Sequence, residues 1–356
     1  MAASKTTIEN VAVFDGHQLR YGQTVAFADG VIVADATGAR TVVNGEGFYL
    51  LPGLIDCHVH VHDADDLALL ARHGITTCLD MGTGNLAGLR ALSASAGTCD
   101  IRSSGIPAIP HGSRLASRPG FPRRLLVTNA DDAAGFVDDR LADGADYIKI
   151  MIELEGPDVA IVHALAAAAR TCGRTSIAHT RSGAAVAKAV VGGVDVITHI
   201  PEDEILSDAT LAQMQARSLV TVPTLVKTLL TTEQVPGAAP YTHLKGSVAK
   251  LHAAGVAILA GTDANKHATG ISVTYGDSLW RELALLVDVG MSPAQALRAA
   301  TSDAAMHFGL DDRGVIAPGR RADLVLLSAN PVVDIANIKA VQRVWSNGIE
   351  VTQRAF

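Results

Sequence analysis

Two textures of apolar and polar positions alternate along the chain. Residues 5–50 carry short runs of period two, in TIENVAVFDG, QTVAFADGVIVADATG and TVVNGEGFYL, punctuated by Asp-Gly and Asn-Gly. That pattern predicts β-strands joined by tight turns. The last 45 residues return to it in GVIAPGRRADLVLLSANP and VQRVWSNGIEVTQ. Between the two ends lie eight apolar runs of strand length: GLIDCHVHV, GITTCLDMG, DIRSSGIPAI, ADYIKIM, TSIAHT, VDVITHI, SLVTVP and VAILAGTD. Most are separated by Ala-rich amphipathic stretches of helical length, such as DVAIVHALAAAARTCG and DATLAQMQARS. Eight strands alternating with helices predict an α/β fold with parallel pairing, most simply a (β/α)8 barrel over residues 51–311. Residues 1–50 and 312–356 are then expected to form one small β-sandwich domain from both termini. A doubly wound open sheet is the alternative. The count of eight and the lack of GxGxxG after the first strand weigh against it.

Chemistry concentrates where such strands end. In GLIDCHVHVH, alternation puts His58, His60 and His62 on one strand face, with Cys57, Val59 and Val61 on the other. One buried histidine is usually a hydrogen-bonded core residue, but two or three in register favour a shared metal ion. A parallel barrel gathers the C-terminal strand ends on one face. The fourth strand brings Lys149 there, the fifth His179, the sixth His199 and the eighth Asp263. Lys149 sits among Ile148, Ile150 and Met151, and an unpaired ammonium there is costly to bury. Burial lowers its pKa, and the neutral amine can take up carbon dioxide as a carbamate, a two-oxygen ligand suited to bridge two cations. Taken alone, the lysine is better read as snorkelling to a polar mouth.

Composition narrows the class. The 356 residues carry a formal charge of −7 and no basic stripe, which argues against a nucleic-acid partner. No apolar run approaches the roughly 18–20 residues of a membrane span. MAASKTTIENVAVFDG has no signal-peptide core, and Cys57, Cys78, Cys99 and Cys172 form no CxxC pair or disulfide framework. The expectation is a cytoplasmic protein with reduced thiols. Cys57 and Cys78 read as core, and His163, His252 and His307 as helix residues with packing or surface roles.

The ordered set PGLIDCHVH, GITTCLDMG, GADYIKI, IAHT, GGVDVITHI, VPTL, AGTDAN, ALRAATSDAAMHFGL and GVIAPGRRADLVLL resembles the metal-dependent amidohydrolase superfamily over nearly the whole chain. Within it, the likeness is to the branch of imidazolonepropionase-like proteins and Xaa-Pro dipeptidases. The resemblance implies a binuclear centre: His58, His60 and Asp263 on one metal, His179 and His199 on the other, with carboxylated Lys149 and a water or hydroxide bridging. Nitrogen and oxygen donors suit zinc, with manganese, cobalt, nickel or iron as alternatives. Asp263 would act as general base and then general acid. His62 falls outside the HxH pair and is expected at the pocket wall. The implied activity is hydrolysis of an amide or ester bond in a small molecule, dipeptide-like or an N-acyl amino acid. A cyclic amide or lactone is the alternative substrate, and a non-catalytic assembly protein is the alternative class. All six ligand positions are filled, which argues against the latter. Barrels of this type often pair through helical faces, so a homo-oligomer is compatible with the chain.

Substrate contacts are expected from His111 in IPHGSR, a carboxylate or carbonyl contact in dipeptidase-like members, and from Lys227 in VPTLVKT. Arg114, Arg118, Arg123 and Arg124 follow His111, although exposed loop arginines are usually just solvated. Residues 228–243, with Pro236, Gly237 and Pro240, are expected to form a loop over the mouth. Glu153 and Glu155 are placed near that mouth.

Overall fold

The computed structural model describes residues 5–352, apart from 94, 111–115, 117–125, 154–155 and 269. The strands at the two ends of the chain share one eight-stranded sheet. Thr6–Phe14 lies at its centre, antiparallel to Leu19–Ala28 and parallel to both Thr41–Asn44 and Tyr49–Pro52. Tyr49–Pro52 then pairs with Leu324–Leu327, which continues to Val341–Ser346 and Ile349–Glu350. Period-two alternation turns Ile8, Phe27, Leu50, Leu324 and Trp345 to one core, where Phe27 and Trp345 meet edge to face at 5.8 Å.

All eight expected strands of the middle are present, in two parallel runs. Leu54–Val59, Ile75–Asp80 and Asp100–Ser103 form one; Ile148–Met151, Ser176–His179, Val196–Thr198, Val220–Val222 and Ala257–Ile258 form the other. A short parallel pair, Ile109–Pro110 with Leu126–Val127, stands apart. Backbone hydrogen bonds link the runs at both edges. Asp146 N donates to Ser103 O at 2.8 Å and Ala108 N to Lys149 O at 2.8 Å; on the other side Cys57 N donates to Ala260 O at 2.9 Å and Asp263 N to His58 O at 2.8 Å. The helices fall where the apolar period predicts. Val159–Thr171 buries Ile161, Val162, Leu165, Ala166 and Ala169, a stripe with helical spacing. Ile55, Cys57, Leu79, Ile177, Val196 and Val220 share one apolar cluster with Ala304, Ala305 and Leu310.

One expectation fails. Residues 228–243 are not a loop: the helix Leu225–Gln234 runs into them, and Tyr241–Ala253 begins the next helix. Leu225, Val226 and Leu230 are buried, and the Glu282 carboxylate accepts from Leu225 N at 3.0 Å and Val226 N at 2.7 Å. Those two bonds satisfy free N–H groups of the first turn, so Pro236 and Gly237 punctuate only a short connector. Among the described residues no helix is long and apolar enough to cross a membrane.

Candidate metal centre

The first and last parallel strands build the core of the centre. Nε2 of His58 and of His60 lie 3.3 and 3.2 Å from the same Asp263 oxygen. Among the described residues, His58, His60 and Asp263 form the group of side chains whose ligand atoms all fall within 4.8 Å of one another. Their alignment depends on two neighbours. Gly261 allows close approach: a Cβ there would meet Val222 Cγ1 at 2.5 Å and His58 N at 2.9 Å. Buried Asp56 accepts from His58 N at 3.1 Å, Thr262 N at 3.1 Å and Thr262 Oγ1 at 2.8 Å, stitching the two strands together.

His199 and His179 complete the cluster from the sixth and fifth strands. His199 Nε2 is 3.9 Å from the other Asp263 oxygen, and its ring centre lies 4.7 Å from His58 and 4.6 Å from His179. Its Nδ1 shares a 2.7 Å hydrogen bond with Thr224 Oγ1. His199, Thr224 and Asp263 have φ of +61°, +51° and +59°, a region costing non-glycine residues about 1–3 kcal/mol each. Three successive strands thus end in strained backbone that turns side chains toward one point.

Lys149 is 2% exposed, and its Nζ donates to Thr198 Oγ1 at 2.7 Å, whose hydroxyl donates on to Ala178 O. Burial outweighs the attraction of Asp263 and Asp80 and lowers its pKa to about 7. Burial also holds His58 down at about 3 and His179 and His199 well below the usual histidine range. His60 is the exception: burial opposes its charge, but the hydrogen bond and charge of Asp263 raise it. Asp263 is pushed up by burial, yet the surrounding histidines hold it well below the usual carboxylate range.

The donor chemistry fits divalent cations. Three mostly uncharged imidazoles, a depressed lysine and one ionised carboxylate converge, and His58 Nδ1 is buried with no hydrogen-bond partner. The other expected site residues divide. His62 stands beyond the strand end, exposed, with Nε2 2.9 Å from Asn265 Oδ1 and its ring 4.3 Å from His267. It lies past the strand, which ends at Val59. Lys227 is buried and donates to Glu202 Oε1 at 2.8 Å. His111, the four arginines after it and Glu155 lie outside the described residues. Glu153 lines a cavity of about 570 Å³ together with His179, Arg181, Glu202 and Thr228. Asp56, Thr198, Thr224, Arg181 and Glu202 escaped the sequence reading. The signal was present for two of them, since Asp56 is a charge inside an apolar strand and Glu202 follows a strand-end histidine.

The amidohydrolase family matches residues 49–351. Adenine deaminase 2 of Latilactobacillus sakei subsp. sakei is 27% identical over 343 residues, covering 90% of this chain and 54% of that protein. Imidazolonepropionase of Deinococcus deserti is 26% identical over 368 residues, 91% of this chain and 90% of that one. The chain spans about half the length of the adenine deaminases it matches over most of its own length. A crystal structure of a Xaa-Pro dipeptidase with methionine bound in its active site aligns with a TM-score of 0.83 at 22% identity. That alignment covers 98% of this chain and 99% of that one, a likeness of fold.

Proposed function

The chain belongs to the amidohydrolase family, and on that premise we propose that it is a binuclear metal-dependent hydrolase of an amide or ester bond in a small molecule. The carrying observation is the convergence of His58 and His60 on one Asp263 oxygen, with His199 on the other and His179 and Lys149 adjoining. The fold that goes with this reading is a closed (β/α)8 barrel over residues 51–311, with 1–50 and 312–356 as a β-sandwich. The hydrogen bonds between first and last strands support closure, and the shared sheet and core of the two termini support their forming one small β domain.

His58, His60 and Asp263 would hold one ion, His179 and His199 the second, and Lys149 would bridge them as its carbamate. When bound, two divalent ions, zinc foremost, supply Lewis acidity to a carbonyl and to water. With a pKa near 7, a large share of Lys149 is neutral at neutral pH, the form that bonds to carbon dioxide and releases a proton. Thr198 orients that nitrogen, and Thr224 fixes the His199 ring. Asp263, held ionised, can accept a proton from the attacking water and pass it to the leaving nitrogen or oxygen.

Dipeptide-like and N-acyl amino-acid substrates fit this chemistry, and so does a ring amide or lactone. One observation favours the second, uncharged kind: Lys227, the expected carboxylate anchor, is already paired with Glu202. Metal analysis of the purified protein, followed by a hydrolysis panel of dipeptides, N-acyl amino acids, cyclic amides and lactones, tests the reading. Two equivalents of metal and turnover of at least one class are expected. A chain that holds no metal and takes none up on titration would be a non-catalytic relative instead.

A further inference from the structure

Glu202 sits in a cradle built for a carboxylate. Its Oε1 accepts from Lys227 Nζ at 2.8 Å and Thr228 Oγ1 at 3.2 Å; its Oε2 accepts from Arg181 Nη2 at 2.6 Å and Nε at 3.0 Å. The Lys227 and Glu202 side chains are 9% and 10% exposed, whereas Arg181 is 53% exposed at the rim. Glu202, Arg181 and Thr228 line the same cavity as His179, and Lys227 lies behind them. A substrate entering beside the metal centre therefore meets the carboxylate and not the lysine.

The lining that runs on from Thr228 along the chain offers little to a charged group. It is formed by Thr231, Thr232, Val235, Ala238 and Ala239. The Thr231 hydroxyl donates to Lys227 O, and that of Thr232 to Thr228 O and Ala239 O, which leaves methyl groups for the cavity. A substrate carboxylate here would find one cation buried, the other shared, and a like charge already in place.

We propose that Glu202 is a specificity-determining residue: the protein's own carboxylate fills a carboxylate subsite beside the metal centre, so the enzyme takes substrates whose group on this side is uncharged and apolar. The inference rests on the metallohydrolase reading for its consequence in turnover, but the cradle itself does not depend on it. Like charges brought together at an interface cost several kcal/mol, so exclusion of the free acid should be about tenfold or more.

The test uses metal-loaded wild type, Glu202→Gln and Glu202→Ala on matched pairs of N-acyl amino acids and N-acyl amino-acid amides. Wild type should favour the neutral member at least about tenfold. Both variants should raise the acid-to-amide ratio of kcat/KM, read within each protein, by about tenfold or more. In parallel, acetate, which matches the group that Glu202→Ala removes, should raise the Tm of that variant and not of wild type. Equal use of acid and amide by wild type, or variants with an unchanged ratio, would overturn the proposal while leaving the hydrolase reading intact. If no protein turns over any substrate, the acetate shift decides alone: its presence upholds the cradle and its absence rejects it. Should Glu202→Ala fail to fold, the isosteric Glu202→Gln carries the turnover comparison, and an unchanged ratio there is decisive against the idea.

Discussion

Two largely buried clusters of charge adjoin one cavity, the wall through Glu202 and the centre through His179, and are built on opposite terms. In the wall cluster, one carboxylate meets two cations and a hydroxyl, and both Glu202 oxygens are satisfied within the chain. In the centre, four imidazoles and a lysine surround one carboxylate; burial depresses most of them, and His58 Nδ1 has no partner. A folded chain tolerates the first arrangement without help. The second combines strained backbone at His199, Thr224 and Asp263 with neutral imidazoles around one carboxylate, which fits the metal reading proposed above. The two clusters differ in how completely their polar atoms are paired, not in being buried.

The largest effect should come from removing the one carboxylate of the unsatisfied cluster. Asp263→Asn is expected to lower kcat by about 10²–10⁴-fold and to reduce bound metal, measured by metal analysis beside steady-state assays. A variant that kept metal and full activity would remove Asp263 from the chemistry. Next is Thr224→Val, which frees the His199 ring and should weaken affinity for one ion about 10–100-fold on titration. Unchanged affinity would demote Thr224 to packing.

A smaller effect reads Lys149 through pH. In metal-free, degassed protein, the folded chain releases the Lys149 proton near pH 7, whereas the unfolded chain keeps it to about 10.5. Between those values the unfolded state binds more protons, so stability rises with pH by up to about 1.4 kcal/mol per unit; below pH 7 this contribution is flat. Urea denaturation of wild type and Lys149→Met should differ by that slope, and parallel curves would contradict the assignment. Least of all should the metal respond to Lys227→Met. That change breaks a buried pair and should cost about 3 kcal/mol of stability while leaving metal content as it was. Loss of metal in that variant would merge the two clusters into one.

How much of this was legible follows from how each signal is encoded. The strands and helices were readable because alternation of period two and the Ala-rich helical stripe are local. His58, His60, Lys149, His179, His199 and Asp263 were readable because each stands at the end of an apolar run. His62 lies past the strand end at Val59, exposed and bonded to Asn265, so alternation alone does not assign it a role. Residues 228–243 were misread because Pro236, Gly237 and Pro240 outweighed a helix whose start is held by Glu282, more than fifty residues away in sequence.

The sequence by itself determined which side chains reach the strand ends, because strand periodicity and parallel order are properties of neighbouring residues and of chain connectivity. Only the tertiary structure decided which of those groups are satisfied. Lys149 and Lys227 are both lysines in apolar surroundings, yet one finds Thr198 Oγ1 and the other a carboxylate. That difference rests on distances between strands far apart in the chain, and the energy of a buried charge is set by what lies within a few ångströms of it.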